Sequence, residues 1–168
     1  AATLTGYAFM KMLLGALGYD SEIEGYTGSN WSIAVGKRAL GIELDDGNDN
    51  FVGVNAVTRE EACLYAFNTL KATMVEYKDN STVTVGDITI ANKSTATEVE
   101  RTSGKDYTGY NESSDQKDSC GTQQFCEKYF SDLKAEDDTD DFGAPATKWI
   151  YDSEDVGTYA NDVDDTYT

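Results

Sequence analysis

Two apolar stretches near the start of the chain have the length and pattern of helices. Residues 4–17 carry a single charged side chain, Lys11, so we expect a helix that is buried on nearly every face and ends at Gly18. Residues 31–40 place apolar side chains at helical spacing behind Asn30, which is a typical N-cap residue. The pattern therefore predicts two helices joined by a polar loop.

A third helix is predicted over residues 59–77. Thr58 and Glu61 stand three positions apart at its start, which is the spacing of a capping box. We expect its inner face to consist of Ala62, Tyr65, Ala66, Phe67, Leu70, Thr73 and Met74. Three apolar faces of similar length must cover one another. One core should therefore contain Phe9, Leu13, Leu17, Trp31, Val35, Leu40, Phe67 and Leu70.

In the second half, polar residues alternate with β-branched ones, which favours strands. Residues 82–90 alternate around Gly86 and Asp87, the signal of a hairpin with a two-residue turn. A second hairpin is predicted over residues 148–159, with its turn at 152–155. Strands are thus expected only after the helical part of the chain.

The remainder of the second half is polar. Residues 91–122 should form a long exposed loop, residues 123–133 a short amphipathic helix, and the acidic run 136–141 a solvated linker. The short helix is expected to bury Phe125, Cys126, Tyr129, Phe130 and Leu133. We therefore predict an α+β chain, with a small helical module at 1–78 and an acidic, loop-rich region with β-hairpins at 79–168.

Charge is unevenly distributed along the 168 residues. The formal net charge is −18, of which −4 falls on residues 1–78 and −14 on residues 79–168. Nucleic-acid binding requires a basic surface, and anionic membranes repel an acidic one, so neither is an expected partner. No apolar stretch approaches the about 20 residues of a membrane-spanning helix. The chain begins at Ala1 without an initiator Met, and we expect it to be a piece of a longer polypeptide.

The residue types argue against most catalytic and metal chemistry. Histidine is absent, so the commonest general base and transition-metal ligand is missing. Cys120 and Cys126 are spaced for a small disulfide if the protein is secreted, or are two thiols. The acids of residues 136–141 either hold calcium weakly or keep a linker extended, and we favour the linker. No cofactor or metal site is predicted.

The first half resembles a known repeat. A Trp-headed helix that ends in Gly-Ile (31–42) precedes an Asp-Asp-Gly loop (45–47) with an aromatic at Phe51, and the sequence Val-Thr-Arg-Glu-Glu (57–61) then opens an apolar helix. This order is similar to the surface-layer homology repeat of bacterial surface proteins, including those of gut Firmicutes. Residues 9–20 look like the second helix of a preceding repeat.

The resemblance implies an extracellular, non-catalytic module at the bacterial cell wall. In that family the Arg of the Thr-Arg element contacts an acidic sugar of wall polysaccharide, which points to Arg59 together with Thr58. Lys37 and Arg38 on the preceding helix are expected to assist. Trp31 either anchors the core or stacks on a sugar.

Two other functions remain open. Tyrosines are frequent in the second half, which suits a surface adhesin that binds a host or bacterial protein, or other copies of itself. They are Tyr107, Tyr110, Tyr129, Tyr151, Tyr159 and Tyr167. A carbohydrate hydrolase, which requires two carboxylates in a cleft, is a more distant alternative.

Overall fold

The computed structural model describes residues 3–78, 82–85, 88–91, 95–100 and 121–160. These residues form four helices and three antiparallel sheets. The fold class is α+β, as the sequence predicts.

Helices fill most of the first half. They are α1 (Gly6–Leu17), α2 (Trp31–Gly41), α3 (Arg59–Lys71) and the short α4 (Phe125–Tyr129). Gly18 ends α1 in the left-handed conformation, at φ 106°, and its N–H bonds to the carbonyl of Gly15. The prediction of this helix end is confirmed.

The two predicted helix starts differ in their capping. Thr58 Oγ1 accepts the Glu61 N–H at 3.2 Å, and Glu61 Oε2 accepts the Thr58 N–H at 2.8 Å, so the capping box is confirmed. Asn30 occupies the N-cap position of α2, but its side chain makes no capping hydrogen bond. The third helix was predicted to continue to Tyr77; instead the backbone becomes extended at Ala72.

Residues beyond that point form strands because they find pairing partners. Strand β1 (Val75–Tyr77) pairs with β4 (Ala96–Glu98), and β2 (Thr82–Val85) pairs with β3 (Ile88–Ala91). The second pair confirms the strands of the first predicted hairpin, with Val85 opposite Ile88, while the predicted turn residues Gly86 and Asp87 lie outside the described residues.

A three-stranded meander ends the described chain. Its strands are β5 (Leu133–Thr139), β6 (Pro145–Tyr151) and β7 (Glu154–Ala160), in that order. The β6–β7 pair confirms the second predicted hairpin. Most of the acidic run, residues 136–139, is however strand and not linker, because β6 supplies a complete ladder of partners and Lys148 stands opposite Glu136, while Asp140 and Asp141 begin the turn that follows.

The short helix is smaller than predicted. Only Phe125–Tyr129 is helical, and Cys126 is fully buried while Tyr129 and Phe130 are 54% and 40% exposed. Cys120 lies outside the described residues, as does most of the predicted loop 91–122. The described part of that loop departs from the prediction, because Ala96–Glu98 forms β4 and Val99 packs on the core.

One core lies between the helices and strand β1. It consists of Met10, Leu14, Leu17, Tyr19, Tyr26, Val35, Ala39, Leu44, Tyr65, Met74 and Val75. Of the predicted core residues, Leu17 and Val35 are confirmed as fully buried, and Phe9, Leu13 and Trp31 pack against this cluster. Residues from beyond position 78, namely Ala96, Val99 and Phe125, also pack on it. The predicted division into two domains stays a prediction.

The predicted inner face of α3 is only partly confirmed, although Met74, just after the helix, is buried and Leu70 is half-buried. Tyr65 is buried as expected, but its buried neighbours are Asn68 and Thr69, and Phe67 is exposed to 36%. Phe67 turns to the meander, where its ring lies 5.6 Å from that of Trp149 in an edge-to-face contact. Phe67, which the helical pattern assigned to the core, therefore packs against the three-stranded meander.

Leu40 is also misassigned. It is 43% exposed, whereas Leu44, which follows the helix, is fully buried. The backbone at Leu44 is held by Asn68, because the Asn68 amide donates to the carbonyl of Leu44 at 3.1 Å and to that of Asp46 at 2.9 Å. A polar side chain inside the core therefore holds the loop after α2.

Replacing this amide should destabilise the fold. Asn68→Leu keeps a side chain of similar size but leaves two carbonyl groups without their donor, so we expect a loss of roughly 1–3 kcal/mol in the free energy of unfolding. Urea denaturation followed by circular dichroism measures it. Ala66→Leu, at an exposed position of the same helix, is the control and should change stability by less than about 0.5 kcal/mol. Equal stability of both variants would show that the amide does not hold the loop.

Candidate functional site

A cleft opens beside Trp31 at the start of α2. Trp31 is half-buried against the core, and the Lys11 ammonium from α1 lies 5.6 Å from the centre of its ring. Lys11 Nζ also donates to the backbone carbonyl of Tyr26 at 2.7 Å. This is the only hydrogen bond of the ammonium among the described residues, so two of its three N–H donors remain for a ligand.

The cleft has a volume of about 380 Å³. Its lining is Ala8, Lys11, Met12, Gly15, Tyr26, Thr27, Gly28 and Trp31. Gly15 and Gly28 face open space, since no atom lies within 4 Å of where a Cβ would stand on either residue. No carboxylate is among the lining residues, although the chain carries 31 acids. We call this the Lys11–Trp31 cleft.

A second cleft also adjoins the loop that joins α1 and α2, at Glu24. It has a volume of about 480 Å³ and is lined by Glu24, Ala34, Lys37, Arg38, Gly41 and Ile42. Arg38 forms an ion pair with Glu24 at 2.9 Å and lies 5.1 Å from the ring centre of Tyr19. The hydrogen bond to Glu24 raises the pKa of Arg38, so its charge is matched within the protein.

Tyrosines connect this ion pair to the strand region. The Tyr77 hydroxyl donates to Glu24 Oε1 at 2.8 Å and accepts the Asp20 N–H at 3.2 Å. Burial and the bond to Glu24 raise the pKa of Tyr77. Strand β1 is thereby fastened to the loop between the first two helices.

The hydroxyl of Tyr26 differs from that of Tyr77 in its hydrogen bonding. It is buried and has no hydrogen-bond partner among the described residues. Burial raises its pKa to about 12 and the Glu24 carboxylate adds to the increase, while the Arg38 guanidinium, which lies near the hydroxyl without forming a well-aligned hydrogen bond, lowers it.

Arg59 and Thr58 lie apart from both clefts. Both are exposed, and no ion pair or side-chain hydrogen bond of Arg59 is found in the described part of the chain. Glu60 and Glu61 stand in the same first turn. Glu61 accepts the Thr58 N–H, and this bond lowers the pKa of Glu61, so a carboxylate already complements the positive end of α3.

The predicted site residues therefore fall into three places. Lys37 and Arg38 share one cleft, Trp31 lines another, and Arg59 lies with Thr58 at the start of α3. Sequence reasoning missed Lys11. Its signal was visible, because it is the single charge in the apolar stretch 4–17.

Asn48, in the acidic loop after α2, uses both ends of its side-chain amide in hydrogen bonds within the protein. Asn48 Nδ2 donates to the Tyr65 hydroxyl at 2.7 Å, and Asn48 Oδ1 accepts the Asn50 N–H at 3.1 Å. Across the described ranges, no three acidic or cysteine side chains converge as metal ligands.

No protein family matches the sequence, and neither a curated protein nor a solved structure matches the chain. Within the part of the chain that the structure covers, no helix is both long and apolar enough to cross a membrane.

The two tyrosines should respond differently to removal of their hydroxyl groups. Tyr77→Phe loses the bond to Glu24 and should cost roughly 1 kcal/mol at neutral pH. Tyr26→Phe removes a hydroxyl that has no such bond, so stability at neutral pH should be unchanged or slightly higher. Chemical denaturation of both variants at pH 7 measures the difference, and a larger loss for Tyr26→Phe would contradict this assignment.

Alkaline pH provides a further test of Tyr26. An unfolded tyrosine ionises near pH 10, whereas the folded pKa of Tyr26 is about 12. The unfolded chain therefore loses this proton first, and the stability that the raised pKa contributes is lost between about pH 10 and 12. Tyr26→Phe should show a smaller decline over this window. Denaturation at several alkaline pH values measures it, and identical declines would mean that Tyr26 ionises normally.

Proposed function

We propose that the chain is a non-catalytic module of a bacterial cell surface that binds an anionic wall polysaccharide. The Lys11–Trp31 cleft is the observation that carries this proposal. It contains the Trp31 indole, the Lys11 ammonium with two unused donors, and small lining residues such as Gly15. An aromatic ring packs on the apolar face of a sugar, while an ammonium binds a carboxylate.

Charge gives the cleft its selectivity. A chain of net charge −18 repels an anionic polymer over most of its surface. Lys11 is therefore important because no acid lines its cleft. Binding of a carboxylate there occurs at short range, within the screening length of about 8 Å at physiological ionic strength.

Arg59 supplies a second contact for the same polymer. It is exposed and its guanidinium has no ion-pair partner among the described residues. A guanidinium binds a carboxylate through two parallel hydrogen bonds, which an ammonium cannot reproduce. The likeness of residues 57–61 to the Thr-Arg element of surface-layer homology repeats supports this assignment.

Retention on purified cell walls tests the proposal. The wild type should bind peptidoglycan that carries its pyruvylated polysaccharide and should not bind peptidoglycan stripped of it. Lys11→Met and Arg59→Ala should each reduce retention by tenfold or more, about 1.4 kcal/mol. Arg59→Lys should recover it only in part.

The control must remove a positive charge elsewhere. Lys134→Ala, at an exposed position of β5, changes the net charge equally and should bind like the wild type. Circular dichroism and urea denaturation confirm that each variant is folded. Equal retention of all variants would remove the site assignment, and no retention of the wild type would refute the polysaccharide-binding function.

A protein-binding adhesin is the second candidate. Tyr129, Tyr151 and Tyr159, the described members of the C-terminal tyrosine set, are each about half exposed or more, at 54%, 47% and 59%. Exposed tyrosines are typical of protein interfaces. Tyr107, Tyr110 and Tyr167 lie outside the described residues.

A further inference from the structure

The turn between β5 and β6 presents an aromatic side chain to solvent. Phe142 is 96% exposed, the highest value among the exposed large apolar residues of the described chain. The turn itself is well bonded. Asp140 Oδ1 accepts the N–H groups of Phe142 at 2.9 Å and Ala144 at 2.8 Å, and the Gly143 N–H donates to the Asp140 carbonyl at 2.9 Å.

This turn therefore holds Phe142 outward at little further cost in conformational entropy on binding. Asp141 precedes Phe142 and is exposed, so an acid lies directly beside the aromatic ring in the sequence. We call residues 140–144 the Phe142 turn. Its chemistry is an apolar anchor with a carboxylate next to it.

The Lys11–Trp31 cleft has the complementary chemistry. Met12, Ala8 and Trp31 give it apolar walls, Lys11 gives it a positive charge, and no carboxylate lines it. Its volume of about 380 Å³ lies within the range of small-molecule pockets in proteins. We propose that the Phe142 turn of one copy inserts into the Lys11–Trp31 cleft of a second copy.

The charges of the turn and the cleft are complementary, which offsets part of the repulsion between two copies. Two chains of net charge −18 repel each other, so association requires a place where one surface is acidic and the other is not. The turn and the cleft meet that condition. They are different patches, so the contact is heterologous, and each copy keeps one free turn and one free cleft. Assembly is therefore open-ended.

The contact is small and therefore weak. A single turn in a single cleft buries less than the roughly 1,200 Å² of a stable interface. Association should thus depend on concentration, as it does between molecules held close together on a surface. The inference rests on the shape and charge of the cleft and does not require that it binds polysaccharide.

Two variants that each lack one half of the contact provide the test. Phe142→Ala removes the anchor and keeps the cleft. Gly15→Glu places a carboxylate in the open space of the cleft and keeps the turn. Gly15→Ala is the control, because a methyl group there meets no atom within 4 Å. Sedimentation velocity over a series of protein concentrations measures association, with circular dichroism to verify folding.

The wild type and Gly15→Ala should associate progressively, and each of the other two variants alone should associate at least roughly tenfold more weakly. A mixture of Phe142→Ala with Gly15→Glu should form a one-to-one dimer that grows no further, since one intact turn meets one intact cleft. A wild type that remains monomeric, or a mixture that does not pair, would overturn the proposal. Phe142→Ala should keep wild-type retention on cell walls. The self-association proposal and the polysaccharide-binding proposal can therefore be refuted independently of each other.

Discussion

The hydrogen bond from Lys11 to the Tyr26 carbonyl links helix α1 to the loop that follows it, and the candidate site depends on this link. A charged side chain in an otherwise apolar helix must find a partner at the surface of the core. Lys11 finds it in the loop between α1 and α2, at 2.7 Å. Arg38 holds the other side of that loop through Glu24. The loop is thus held at two points, and each of the two clefts adjoins it.

The helical pattern predicted the positions of the helices better than their inner faces. Capping signals are local, so Thr58, Glu61 and Gly18 could be recognised from neighbouring residues alone. The face of α3 could not, because it depends on what packs against it. Phe67 is drawn towards Trp149, more than 80 positions later in the chain. Asn68 is buried because two carbonyl groups of a distant loop need a donor.

Strand formation in the acidic run also depends on residues that lie later in the chain. Residues 136–138 are all acidic and predict a solvated segment when they are considered alone. They become strand because the neighbouring β6 supplies a complete set of backbone partners, including Lys148 opposite Glu136. The clefts, too, are formed by residues that are distant from one another in the sequence. Lys11 and Trp31 are twenty residues apart, and only the packing of α1 against α2 brings them together.

The pairing of β1 with β4 has a consequence for how the chain tolerates change. Tyr77 and Ala96 stand opposite each other, so the chain leaves the core and returns to it at one point. The bridge between Glu100 and Thr122 pins the ends of the next segment in the same way. The entropy of closing such a loop grows only slowly with its length. An insertion of foreign sequence, such as an epitope or a label, between Tyr77 and Ala96 but outside β2 and β3, or between Glu100 and Thr122, should therefore leave the core intact.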